Sequence, residues 1–442
     1  MSGKAVAAAD KAIDSAAGQA PPPAGFPHLN PAGKLDDTRR MKALTWQGKE
    51  KVKVHDVPVP HVTDATDAVI KITSTAICGS DLHLYVHAMP GMKAGDVLGH
   101  EFMGIVEEVG PEVKHLSPGN RVVVCFDIAC GACFFCQRQL FSSCASSNPS
   151  HVQEALYGQP TGGFFGYSHL TGGWQGGQAE YVRVPVADVN CLKVPNSMED
   201  EQVVLLSDIL PTAWHACELG EVHEGDVVAI WGAGPVGILT AHCAQHRGAR
   251  RIILIDSVQY RLDFAASKIQ GLETINRKDK NPLTALKEMM ASEPGGAPDV
   301  TIDAVGMHYA TSLIHKVQVS LQLETDTPEI VNECVRAVRK GGRVSVIGAY
   351  AGFVNAFQLG AFMEKQLTIR GGQTPVQKYW HTLLAKVKSK QLDPAMVITH
   401  LLPLEEADKG YEVFNSKRPA DGCVKVVLKT KAARDQGPVA AV

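Results

Sequence analysis

The chain contains no apolar run approaching the ~18–20 residues needed to cross a membrane, and its start lacks the charged-then-apolar layout of a secretory signal. It has no surplus of positive charge: 43 Lys and Arg stand against 46 Asp and Glu, a formal net charge of -3. That balance gives neither a basic field for nucleic acid nor a polybasic membrane anchor. No internal repeat is visible. Seven of the eleven cysteines are scattered, which is no disulfide framework, and with no secretory layout the expected setting is the reducing cytoplasm. What remains after these exclusions is a soluble globular protein whose partner is a small molecule. Its 442 residues, 45% hydrophobic, suffice for two or three domains.

Residues 1–40 begin Ala-rich and run into "PPPAGFPHLNPAG", whose proline density and lack of periodicity predict a disordered arm. From Met41 to about residue 199, alternating stretches such as "DAVIKITSTAIC", punctuated by Gly and Pro, predict a β-rich domain. From 200 to 352 the apolar strands "DVVAIWG", "RRIILID", "PDVTIDAVG" and "GRVSVIGAY" alternate with helical segments, followed by the strand-like "LTIRGG". This alternation predicts an α/β domain with a doubly wound parallel sheet. Residues 353–430, ending in "GCVKVVLK", are expected to return to the first domain, and 431–442 to form a tail.

"DVVAIWGAGPVGILTAH" sets Gly232, Gly234 and Gly237 in GxGxxG spacing between a strand and a helix. Gly232 permits the tight turn, Gly234 admits a pyrophosphate to the backbone, and Gly237 lets helix and strand approach. The phosphates would meet the free amides around Pro235 and Val236 at the helix N-terminus. Asp256, ending the next strand, would accept hydrogen bonds from the adenosine ribose hydroxyls and repel a 2′-phosphate, which favours NAD over NADP. Arg261 is expected over the adenine, with a solvated helix charge as the competing reading.

"CGACFFCQRQLFSSC" concentrates four thiols, Cys130, Cys133, Cys136 and Cys144, in CxxCxxCx7C spacing. Two-residue gaps let neighbouring thiolates face one centre, and a later cysteine closes a tetrahedron with no open position, the signature of a structural zinc. An iron–sulfur cluster and disulfides are the alternatives. Cys125 falls outside the spacing and is taken as strand filler. Upstream, "TAICGSDLHLY" and "VLGHEFMGIVEEVG" offer Cys78 and His100 as ligands for a second, catalytic metal.

In order along the chain, "GHEFMGIVEEVG", the four-cysteine loop and "WGAGPVG" resemble the zinc-dependent medium-chain alcohol dehydrogenase family over roughly residues 41–430. The resemblance implies a GroES-like β-rich catalytic domain joined to a Rossmann domain, one NAD and two zinc ions per subunit, and a homodimer or homotetramer. It makes Cys78 and His100 ligands of the catalytic zinc, sets Glu101 beside it, and gives the four-cysteine loop the structural zinc. The third catalytic ligand is a cysteine in the most familiar members, whereas "LLSDILPTAWHACELG" places Asp208 there. With "CGSDLH" and "GGQAEYVRVP", this substitution resembles the branch containing glutathione-independent formaldehyde dehydrogenases. A carboxylate is a harder ligand than a thiolate and leaves the metal more acidic. Cys217 is the competing candidate, outside the motif register.

By the same resemblance Ser80 hydrogen-bonds the substrate oxygen and His83 continues a proton relay. Gly79 and Thr212 match positions against the nicotinamide half of the cofactor, and Val305 one near its ribose. Asp81 either orients His83 or a ligand, or caps a helix. Glu101 is read either as a charge that exchanges with the zinc ligands or as the buried partner of an arginine. Phe164, Phe165, Tyr167 and Trp174 are expected to divide between a narrow pocket and loop anchoring. The expected activity is hydride transfer between NAD and a primary alcohol or small aldehyde, formaldehyde included. A polyol or secondary-alcohol dehydrogenase and a catalytically silent dinucleotide-binding scaffold are the alternatives.

Overall fold

A computed structural model describes residues 27–305 and 326–435, together with positions 10 and 25. The expected disorder of the arm falls largely on residues outside this range, and the expected tail is described as far as 435.

The chain divides into two compact units. One comprises residues 3–211, 374–418 and 425–442 and is β-rich. Its seven-stranded sheet is built around strand Ala68–Ile77, which pairs antiparallel with Glu101–Val109, Tyr181–Val184 and Val426–Lys429. Ala68, Ile70, Ile72, Phe102, Val106, Val122, Val124 and Phe165 form its core. A separate hairpin joins Leu35–Gly48 to Lys51–Pro60. Folded structure thus starts before Met41: the first strand begins at Leu35, and Arg183 holds the Asn30 and Pro31 carbonyls. The polar run "LDDTRR" hides this strand from a hydrophobic pattern, because its outer half is solvent-exposed and is held by backbone pairing rather than burial.

The other unit comprises the described residues of 212–373 and 419–424. It carries a six-stranded parallel sheet whose order is Glu273–Asn276, Arg251–Asp256, Val227–Trp231, Val300–Asp303, Arg343–Val346, Thr368–Gly371. Numbered along the chain this is 3-2-1-4-5-6, the Rossmann order, in which the glycine turn leaves the first strand at the point where strand order reverses. The return expected at 353 occurs instead at 374, because Thr368–Gly371 pairs in parallel with Arg343–Val346 and completes this sheet. The boundary expected at 200 likewise falls at 212: residues 200–211 belong to the β-rich unit, where Asp200 bonds Ser74 and Arg121. No helix among the described residues is long and apolar enough to cross a membrane.

Candidate metal centres and nucleotide turn

Three chain segments converge at one end of the β-rich sheet through strand register. Ala76 pairs with Glu101 on one side of strand Ala68–Ile77, and Ile77 pairs with Val426 on the other. Cys78, which follows that strand, is therefore brought beside His100, Glu101 and Lys425. The seven-residue helix Gly79–Tyr85 begins here, with the Cys78 backbone N–H donating to Asp81 Oδ2 at 2.9 Å. Gly99, at φ +96°, is required before His100, because a Cβ there would lie 2.4 Å from Gln178 Cγ and 2.9 Å from its backbone nitrogen.

Asp208 arrives from elsewhere. The stretch "EDEQVVLLSDILPTAWHACEL", helical in its pattern, is not one continuous helix: Val204–Ser207 is a 3₁₀ turn, Asp208 adopts φ −153° and ψ −77°, and a new helix spans Ile209–Leu219. The break aims the carboxylate inward, where Asp208 Oδ2 stands 3.7 Å from Cys78 Sγ and 3.4 Å from His100 Nε2. The possible ligand atoms of Cys78, His100, Glu101 and Asp208 all lie within 4.8 Å of one another, and all four residues are buried. His100 Nδ1 lies 3.2 Å from Asp81 Oδ1, an ion-pair approach without a hydrogen bond, and Asp81 also caps the helix.

Glu101 meets a lysine, where one of its two readings had an arginine: Lys425 Nζ donates to its Oε1 at 2.7 Å, with both side chains 0% exposed. The other oxygen, Oε2, has no hydrogen-bond partner. Burial, then the Glu101 charge, pushes the Cys78 thiol up to about 11. Burial would lower His100, but Asp81 and then Asp208 hold it well above its ordinary range. A thiol, an imidazole and carboxylate oxygens crowded in a dry site fit a divalent cation such as zinc, which would stabilise the deprotonated ligands.

The other cluster is all sulfur. Cys133 Sγ and Cys136 Sγ are 3.5 Å apart and Cys130 Sγ and Cys136 Sγ 3.9 Å apart, and all four sulfurs lie within 4.8 Å of one another. A tetrahedron with ~2.3 Å Zn–S bonds has edges of about 3.8 Å, so the spacing fits a tetrathiolate zinc. No disulfide joins any of the eleven cysteines. Proton sharing pushes Cys130 and Cys133 down and Cys136 and Cys144 up, the behaviour of thiols that cannot all ionise without a cation. Cys125 lies outside this set, its thiol facing the Asp127 and Asn190 carbonyls, and Cys217, whose thiol faces the Thr240 carbonyl, belongs to neither cluster.

Ser80 is half-buried, with its Oγ 3.8 Å from Cys78 Sγ. His83 is half-buried too, and burial, then the charge of Lys417, pushes its imidazole down to about 4. Of the loop aromatics, Tyr167 stands edge-on to His100 at 6.2 Å and against Phe164 at 6.5 Å. Phe126, which the sequence reading missed, meets His100 at 6.3 Å and Phe164 at 5.2 Å. Phe165 and Trp174 are core anchors instead: Phe165 packs on Phe102, and Trp174 donates to the Ser147 carbonyl. Lys425 was also missed, since 324 residues separate it from Glu101. A charged residue inside the apolar "VKVVL" was the only signal.

In the other unit, the helix Pro235–His246 starts directly after Gly234. Gly232 has φ +104°, and a Cβ on Gly237 would fall 1.8 Å from the Gly232 carbonyl oxygen. Asp256 shapes the same turn, accepting from Ala233 N–H through Oδ2 and from Ser257 and Val258 N–H through Oδ1. Arg261 is buried in the next helix, Thr212 lies half-buried near the start of its own, and Gly79 is exposed. Val305 donates its N–H to Asp303 Oδ1, just beyond the fourth strand of the sheet.

Residues 64–196 match the alcohol dehydrogenase GroES-like domain and residues 235–389 the zinc-binding dehydrogenase domain. An uncharacterized zinc-type alcohol dehydrogenase-like protein of Bacillus subtilis is 44% identical over 88% of this chain and 100% of its own length. A glutathione-independent formaldehyde dehydrogenase of Pseudomonas aeruginosa is 34% identical over 86% of this chain and 96% of its own length. The solved structure of an alcohol dehydrogenase from Thermus sp. ATN1 superposes with TM-score 0.73 at 36% identity, covering 88% of this chain and 100% of that one. Likeness of this extent, over both units, leaves one conclusion: the chain belongs to the zinc-type alcohol dehydrogenase family and is an NAD-dependent oxidoreductase.

Proposed function

We propose that this enzyme oxidises a primary alcohol or a small aldehyde, formaldehyde among them, with NAD. The observation that carries the reading is the buried Cys78–His100–Asp208 convergence, which is separate from a closed tetrathiol. On this reading Cys78 Sγ, His100 Nε2 and an Asp208 carboxylate oxygen hold a catalytic zinc, and Cys130, Cys133, Cys136 and Cys144 a structural one. Asp208 in place of a cysteine, and the 34% identity to a formaldehyde dehydrogenase, support the aldehyde-oxidising branch.

Zinc held by the first set supplies Lewis acidity, the property that lowers the pKa of water from 15.7 to about 7 in such sites. NAD supplies the hydride acceptor. The remaining work belongs to side chains. Ser80 takes the hydroxyl proton, and His83 passes it toward solvent. Burial keeps His83 uncharged at neutral pH, and an uncharged imidazole retains one accepting nitrogen. The Asp81 carboxylate stands beside His100 Nδ1 and leaves Nε2 for the metal side. The Gly232–Gly237 turn binds the pyrophosphate, and Asp256 selects the unphosphorylated ribose.

The test is NADH formation from formaldehyde, ethanol, benzyl alcohol and sorbitol, with and without glutathione. Turnover of the first three without glutathione is expected. Turnover of sorbitol alone would replace this reading with the polyol one, and nucleotide binding without turnover of any substrate would leave a silent scaffold.

A further inference from the structure

Four rings form a closed circuit about one zinc ligand: His100 to Phe126, Phe126 to Phe164, Phe164 to Tyr167, and Tyr167 back to His100, all within 6.5 Å between centroids. Two members, Phe126 and Phe164, offer only hydrocarbon. The Tyr167 hydroxyl is the one polar group that the non-ligand rings contribute, and it has no hydrogen-bond partner among the described residues. A phenol keeps its proton at neutral pH, so this hydroxyl can donate. Tyr167 is half-buried, so its hydroxyl is open to a ligand at this wall.

An alcohol brings one oxygen, which Ser80 and the metal side account for. An aldehyde in water adds water across its carbonyl and brings two hydroxyls on one carbon. The second needs a partner of its own, because a buried hydroxyl left unpaired is costly. Resting on the reading of this centre as the dehydrogenase site, we propose that Tyr167 selects hydrated aldehydes by hydrogen-bonding the second hydroxyl of the gem-diol. The reaction balances with the established oxidant. The C–H bond breaks and its electron pair leaves as hydride to NAD⁺. One hydroxyl loses its proton to the Ser80 relay as that oxygen forms the C=O bond, and the second oxygen stays on carbon, giving RCOOH, NADH and H⁺. Tyr167 is neither oxidised nor deprotonated.

The probes are trifluoroacetaldehyde hydrate, a stable gem-diol, and 2,2,2-trifluoroethanol, which lacks one hydroxyl, each titrated by ¹⁹F NMR into the zinc-loaded full chain. The wild type is expected to bind the diol about tenfold more tightly than the alcohol, since a site built around a hydroxyl rejects the analogue that lacks it. Tyr167→Phe removes only the phenolic oxygen and should erase most of that preference while keeping two zinc ions per chain. In turnover, the ratio of kcat/KM for formaldehyde to that for benzyl alcohol should fall about tenfold in the variant, with formate as the wild-type product by ¹H NMR. An unchanged preference, or equal losses for both probes, overturns the proposal. A wild type that oxidises benzyl alcohol but makes no formate overturns this inference alone, whereas one that reduces no NAD with any substrate overturns the reading beneath it.

Discussion

Lys425→Met isolates the buried ion pair below the metal centre. Lys425 and Glu101 are both 0% exposed and 2.7 Å apart, and Glu101 Oε2 has no other hydrogen bond. Burial pushes the Glu101 carboxyl up and the lysine opposes it, so deleting the ammonium leaves a desolvated carboxylate. Removing one partner of such a pair costs about 3–5 kcal/mol, most of it the stranded charge. In a domain of this class each kcal/mol moves the melting midpoint by about 2–4 °C, so a fall of roughly 6–20 °C is expected. A carboxyl without its lysine can recover part of the loss by binding a proton, so the measurement belongs near pH 8, where protonation is dearer. Glu101→Gln strands the lysine instead and should cost a similar amount. The double variant strands neither charge, so it should be more stable than the sum of the singles predicts by about 2 kcal/mol or more. Thermal melts of the zinc-loaded proteins, with zinc content checked, supply all four corners of the cycle. A Lys425→Met protein within about 1 kcal/mol of wild type, or singles that add within about 0.5 kcal/mol, would refute the reasoning.

Asp208→Asn should abolish most turnover and one of two zinc ions while the melting midpoint stays near that of wild type, whereas Cys133→Ser should lose the other zinc and destabilise the loop first. Metal analysis beside activity separates the two, and equal turnover in Asp208→Asn and wild type would sink the ligand assignment. Gly237→Ala forces a Cβ to within 1.8 Å of the Gly232 carbonyl oxygen, so NAD affinity should fall by at least about tenfold, read by fluorescence titration of NADH. Hydrogen bonds, from Arg250 first and then Arg251, hold the Glu293 carboxyl down to about 2. The carboxyl is depressed in the folded state, so its contribution is present above its ordinary value of 4.5 and disappears as pH falls toward 2. Glu293→Gln should therefore lie below wild type in acid melts near the upper end of that window and converge with it at the lower end.

The local patterns carried the parts of this protein that depend on neighbours in sequence. Thiols two residues apart face one centre because a turn of that length brings them round, so Cys130, Cys133 and Cys136 declare a metal without any fold. The glycine turn is equally local: strand, φ-positive Gly232 and helix start within ten residues. Five strands of the parallel sheet were legible as apolar runs, but Glu273–Asn276 was not, because "ETIN" at the sheet edge buries only Ile275 fully.

The mixed-ligand cluster is a different kind of object. Cys78 and His100 stand out by residue type, Asp208 joins them only through resemblance, and nothing local in "LLSDIL" announces that the helix breaks at Asp208 to turn its carboxylate inward. Register across strand Ala68–Ile77 brings Glu101 and Lys425 together from 324 residues apart, and the same packing decides that Phe164 and Tyr167 border His100 while Phe165 and Trp174 vanish into the core. Sequence alone determined the elements and the local metal loop, since short-range geometry and hydrophobic period are written residue by residue. Only tertiary structure decided which charge neutralises which and which ring meets the ligand, because those depend on strand pairing and burial, which no short window of residues contains.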